Sequence, residues 1–129
     1  MPASYSFDYA VVRVAPRVDR EEFVNAGIIV ICVERRFLDA RIHVDEVRLL
    51  ALWPSLDLAL VRQHLEAIPR ICAGDGSAGA IARMSQKERF HWLTSPRSTI
   101  IQVSPVRTGV TDDPAAVVER LAQQMLFVG

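Results

Sequence analysis

The sequence predicts an α+β domain: an antiparallel or mixed sheet of about four strands with helices packed mainly on one face. Three observations carry this. Segments with strand character come first, with only a short helical turn among them. Segments with three- and four-residue apolar spacing follow. One further strand pattern then precedes a final helix, so the order reads roughly β-β-β-α-α-α-β-α, which is not the alternation of a doubly wound nucleotide-binding fold. The length of 129 residues suits a single domain over 1–129, and half of the residues are hydrophobic.

Tyr5 to Ala15 (YSFDYAVVRVA) is rich in β-branched and aromatic residues and reads as a strand ended by Pro16. One face carries Tyr5, Phe7, Tyr9, Val11 and Arg13. Asp19 is placed to cap a short helical turn (REEFVNA), and Asn25 to Gly27 reads as a turn. Gly27 to Val33 is apolar on both faces, as in a fully buried strand. Phe37 to Val44 alternates, with Leu38, Ala40, Ile42 and Val44 on one side. The two runs, joined by the polar turn Glu34-Arg35-Arg36, predict an antiparallel hairpin.

Asp45 opens a helical pattern that Pro54 stops. Ser55 or Asp57 caps the next helix, whose apolar positions Leu58, Val61, Leu65 and Ile68 recur at spacings of three and four. Pro69 is expected to end or kink it, and Ala73 to Gly79 to form the most flexible loop. Ser85-Gln86-Lys87-Glu88 is a capping box for a short helix through Leu93. Ser98 to Val103 reads as the fourth strand, and Pro105 and Gly109 frame a loop. Asp113 and Pro114 begin the last helix, which buries Val117, Val118, Leu121, Met125 and Leu126.

The charges balance at 15 basic and 15 acidic residues. A general attraction to nucleic acid or anionic lipid is therefore not expected. Cys32 and Cys72 lie in apolar patterns and read as core residues rather than a disulfide or zinc pair. The N-terminal stretch lacks the basic-then-apolar pattern of a signal peptide, so a cytoplasmic location is expected. No phosphate loop, dinucleotide fingerprint or nucleophile elbow is present. His43, His64 and His91 fall on three different elements, and the pair Glu21-Glu22 points in two directions from a solvated turn. No catalytic residue, metal ligand or cofactor site is assigned.

One segment departs from the average. Gly76 to Thr111 holds Arg83, Lys87, Arg89, Arg97 and Arg107 with Glu88 as its only acid, and is rich in hydroxyls. Arginine with hydroxyl groups is the chemistry of phosphate or carboxylate capture, whereas the plainer reading is a surface whose arginines pair with acids elsewhere. Arg89 and Trp92, three apart on a helix, can stack as a cation–π pair. If the first and fourth strands are neighbours, Arg13 and Arg17 approach Arg97. The candidate binding residues are Arg13, Arg17, Arg89, Trp92, Arg97, Ser98, Arg107 and Thr108.

Two blocks carry a resemblance. One is Tyr9 to Arg17 (YAVVRVAPR) with Glu21 to Gly27 (EEFVNAG); the other is Arg89 to Ser98 (RFHWLTSPRS) with Ser104 to Gly109 (SPVRTG). Together they resemble, over nearly the whole chain, a bacterial domain-of-unknown-function family of the DUF3037 type. The resemblance implies no activity. It implies signature positions at Arg13, Arg17, Glu22, Asn25, Gly27, Arg89, Trp92, Arg97, Ser98, Thr108 and Gly109, of which Gly27 and Asn25 are expected to serve a turn. It also implies a context: members are often encoded beside kinase-like proteins of the HipA type, as in a toxin–antitoxin pair.

The functional expectation is a non-enzymatic accessory or regulatory module that binds a partner protein, such as a HipA-like kinase. The alternative is a small-ligand protein that grips a phosphate or carboxylate through its arginines. A nucleic-acid enzyme has the least support, since no acid cluster with metal spacing is visible. The half-exposed strand Phe37 to Val44 offers a sheet edge through which a homodimer can form.

Overall fold

The structure, a computed structural model, describes residues 4–96 and 100–127. Five antiparallel strands form one sheet, and four helices pack against it. The strands are β1 (Tyr5–Val14), β2 (Val24–Cys32), β3 (Phe37–Ile42), β4 (Ile101–Val103) and β5 (Arg107–Thr111). The helices are α1 (Glu46–Leu52), α2 (Leu58–Cys72), α3 (Gln86–Thr94) and α4 (Pro114–Met125). The order across the sheet is β3-β2-β1, and β4 and β5 then lie end to end along the far side of β1.

The alternation along β1 builds two cores. Val12 and Val14 face a large cluster with Leu49 of α1, Val61, Leu65 and Ile68 of α2, and Phe90 and Leu93 of α3. Phe7 and Val11 face a smaller one with Val117, Val118, Leu121 and Ala122 of α4. Three helices thus cover one face and the fourth covers the other. β2 is buried on both sides, as its continuous apolar run requires. Both cysteines are buried and unpaired. No helix among the described residues is long and apolar enough to cross a membrane.

The start signals act as their chemistry dictates. Asp45 and Asp57 accept hydrogen bonds from the backbone amides of Arg48 and Leu60, each at 3.1 Å. Ser85 Oγ accepts from the Glu88 amide at 3.2 Å and donates to the Glu88 carboxylate at 2.9 Å. Pro114 occupies the first position of α4.

Four local expectations are corrected. Asn25 to Gly27 is not a turn and REEFVNA is not helical: a short 3-10 turn spans Val18–Arg20, and the chain reverses at Glu21, whose φ is 55°. β2 therefore begins at Val24. A bulge shifts its register, so that Val12 pairs with Gly27 and Arg13 with Asn25. Gly27 is small because a Cβ there meets Ile42 Cδ1 at 2.6 Å and Val12 Cβ at 3.2 Å. Asn25 donates from Nδ2 to the carbonyl of Met125, at the end of α4, at 3.2 Å.

Second, α2 does not end at Pro69, the first of the two outcomes expected there, but runs three residues past it. Its last turn closes with Gly74 at φ 76°, whose amide bonds the Ile71 carbonyl while the Asp75 amide bonds that of Arg70. Third, the loop expected over Ala73 to Gly79 holds regular structure, for Gly76–Ala78 form a 3-10 turn that Asp75 caps. Fourth, Gly109 lies within the strand β5, not in a loop. It pairs with Phe7, whose ring occupies the space a Cβ would need. The predicted fourth strand is found as Ile101–Val103; residues 98 and 99 of that prediction lie outside the described residues.

Candidate functional site

Of the eight residues singled out from the sequence, the six that the structure describes fall on four segments: β1, the turn after it, β5 and α3. Arg13 ends the α4-side face of β1, and its guanidinium lies 4.1 Å from the centre of the Phe23 ring. Its Nε is buried and has no hydrogen-bond partner among the described residues. Ala15, Glu21, Glu22, Gln102 and Val103 join Arg13 and Phe23 around a hollow of about 280 Å³. β1 and β4 are neighbours, with Arg13 opposite Gln102. Arg97 and Ser98 lie outside the described residues, so the expected approach to Arg97 does too.

Arg17 is exposed and holds Asp19 by two hydrogen bonds, Nε to Oδ1 at 3.1 Å and Nη2 to Oδ2 at 2.9 Å. That hydrogen bonding holds the Asp19 carboxyl below its ordinary pKa and raises that of Arg17. Arg107 and Thr108 stand on β5, opposite Tyr9 and Asp8. They are four or five residues along β1 from Arg13, roughly 13–16 Å. Thr108 Oγ1 donates to Asp8 Oδ1 at 2.7 Å, a cross-strand pair.

Arg89 turns inward. It is only 9% exposed. Nη1 donates to the carbonyls of Ile71 and Cys72 at 2.8 Å each, and Nε to that of Met84 at 3.0 Å. The guanidinium thus occupies the negative end of α2, where a cation is favoured. Its reach is used on main-chain oxygens rather than on the Trp92 ring.

Trp92 remains 38% exposed on the outer side of α3. Phe90, Leu93 and Arg89 take the inner positions of this helix. Positions 84, 88, 91, 92 and 95 then form an outer stripe at helical spacing. With Ile81 and Lys87 they line a groove of about 510 Å³. Met84, which sequence reasoning passed over, is 44% exposed there. Its position just before the capping serine was the available signal, since the residue preceding a cap lies beside the first turn of the helix. On the other side of Trp92 a tighter hollow of about 160 Å³ is bordered by His64, Ala67, Ile68, Ile71, Leu93, Ile101 and Val103.

Other arginines are taken up in ion pairs within the domain. Arg20 pairs with Glu22, Arg41 with Asp39 and Glu119, Arg62 with Glu46, and Arg70 with Asp75. Among the described residues no group of three or more His, Cys, Asp or Glu side chains is arranged to hold a metal ion. Burial pushes the Cys72 thiol up to about 12, well away from the range of a reactive thiolate.

The fold and this surface define a small α+β domain with an aromatic- and methionine-lined groove. The model of a family described as protein of unknown function (DUF3037) matches residues 9–126, and the chain belongs to that family. No curated protein and no solved structure matches it.

Proposed function

We propose that the domain is a non-enzymatic accessory module that docks a partner protein through the α3 groove. The observation that carries this is the pair Met84 and Trp92, 44% and 38% exposed in one apolar groove. Tryptophan and methionine are enriched where partner proteins anchor, and methionine adapts its shape to the anchor. The rim residues Lys87, Glu88 and His91 offer both charge signs around the apolar floor. The occupant is an apolar side-chain cluster of a kinase-fold protein of the HipA type, the context that the family resemblance implies. Co-expression with such a neighbour, followed by affinity capture, tests this. A stoichiometric complex that Met84→Glu weakens at least tenfold is expected. No complex at micromolar concentration, or one indifferent to Met84→Glu, contradicts the proposal.

A second reading has its own observation. The Nε of Arg13 is a buried donor with no partner among the described residues, a state that costs stability unless an acceptor arrives. We infer from it a carboxylate or phosphate ligand in the hollow beside Phe23. The acids Glu21 and Glu22 at the same rim disfavour a highly charged anion. Arg17 and Arg107 do not line this hollow, and Arg89 is spent on α2. A thermal-shift screen with inorganic phosphate, nucleotides and carboxylates is the check: a shift abolished by Arg13→Lys supports the site, and no shift removes it.

A further inference from the structure

The sheet has two edges, and the chain treats them differently. On β3 the groups of Ala40 are closed off by their own neighbours. Asp39 Oδ1 accepts from the Ala40 amide at 2.9 Å, and Arg41 Nη1 donates to the Ala40 carbonyl at 3.1 Å. Arg41 also bonds Asp39 Oδ2 at 2.6 Å and Glu119 of α4 at 2.8 Å, which locks the bracket. A strand adding here must first break this network. The edge expected from sequence to pair is thus guarded.

The opposite edge carries no such guard. β5 reads Arg-Thr-Gly-Val-Thr, with no proline and no inward charge. Among the described residues, no backbone group pairs with its outer side. Val110 is 68% exposed. A bare strand edge takes an extended strand, and the charges at its ends say which one. Arg107 opens β5 and Asp112 and Asp113 follow it. None of the three has an ion-pair partner among the described residues. Asp113 occupies the N-cap position of α4, yet its side chain makes no cap hydrogen bond.

We propose that β5 is the interface of a homodimer, in which it pairs antiparallel with β5 of a second copy about Gly109. That register sets Arg107 opposite Thr111 of the second copy and beside its Asp113, about two residues or 7 Å further on. The same ion pair forms twice, as two-fold symmetry requires. Thr108 falls opposite Val110, so that the exposed β-branched side chain gains a cross-strand neighbour. The two sheets become one sheet across the dyad. A five-residue strand pair buries less than a standard interface, so association is weak, on the order of 100 µM.

Sedimentation velocity over about 10 to 500 µM tests this in the full chain. The expected result is a rise toward twice the 14.4 kDa of one chain. Val110→Lys, at an exposed position, is expected to abolish the rise, and Arg107→Asp to weaken it at least tenfold. Arg107→Asp combined with Asp113→Arg restores it by reversing the pair, with circular dichroism confirming that each variant is folded. Met84→Glu leaves self-association unchanged, which separates this interface from the α3 groove. A chain that stays monomeric throughout overturns the proposal. So does a dimer indifferent to both Val110→Lys and Arg107→Asp.

Discussion

Arg89 Nη1 lies 2.8 Å from the carbonyl oxygen of Cys72, so a side chain of α3 terminates the main chain of α2. The same nitrogen serves Ile71, and Nε serves Met84. Arg89→Met removes a buried cation from three carbonyls and leaves them without it. A loss of about 3 kcal/mol in unfolding free energy is expected. Arg89→Lys recovers less than half, because an ammonium lacks the planar fork. Urea titrations followed by circular dichroism measure both. A loss below about 1 kcal/mol for Arg89→Met contradicts this role.

Gly109 and Phe7 form a second constraint. A Cβ at 109 would stand 2.5 Å from Phe7 Cζ and 2.8 Å from Cε1, and Phe7 is buried. Gly109→Ala therefore displaces a core ring and costs about 1–3 kcal/mol. In a Phe7→Leu background the added cost falls, because the obstructing ring is gone. Equal costs in both backgrounds contradict the contact. The double-mutant cycle in urea reads this directly.

Ser104 does the work of a missing ladder residue between β4 and β5. Its Oγ accepts from the Val11 amide at 2.8 Å, and its own amide donates to the Val11 carbonyl at 2.8 Å. Ser104→Ala leaves a buried amide unsatisfied at Val11, for about 1–3 kcal/mol. Hydrogen exchange of the Val11 amide is expected to accelerate by at least tenfold. Unchanged protection there contradicts the assignment.

The Cys72 thiol gives a pH dependence with a definite sign. Burial raises its pKa from 9.0 to about 12, so the folded chain holds this proton more tightly than the unfolded chain. Unfolding then releases a proton between those values, and stability falls as pH rises through that window. Cys72→Ala is expected to flatten the part of the slope between about pH 9 and 11. Native protein is also expected to resist thiol reagents at pH 8, with labelling only on denaturation. An unchanged slope in Cys72→Ala, or rapid native labelling, contradicts the burial.

What sequence could show was whatever depends on neighbours in the chain. Alternation in Tyr5 to Val14 and in Phe37 to Ile42, and the caps at Asp45, Asp57 and Ser85, are local chemistry, and they read through. The misses at Gly27, Gly109, Pro69 and Arg89 share one cause: a distant partner overrode a local signal. Gly27 and Gly109 read as breakers, yet each is small because a side chain from another strand fills its space. Pro69 read as a stop or a kink, yet burial of Ile71 and Cys72, with Arg89 on their carbonyls, holds a further turn beyond it. Arg89 read as a surface ligand because its direction depends on where α2 ends. Trp92 was legible as exposed chemistry, but the groove needed Ile81 and Met84 from the preceding turn.

The most direct test of the proposed docking surface is a titration of the purified domain with a purified HipA-like kinase, the partner proposed above, by isothermal calorimetry, wild type beside Met84→Glu. Binding in the micromolar range or tighter is expected, weakened at least tenfold by the substitution, with the domain's fold intact. Equal affinity for the two proteins, or no heat of binding for either, would contradict it.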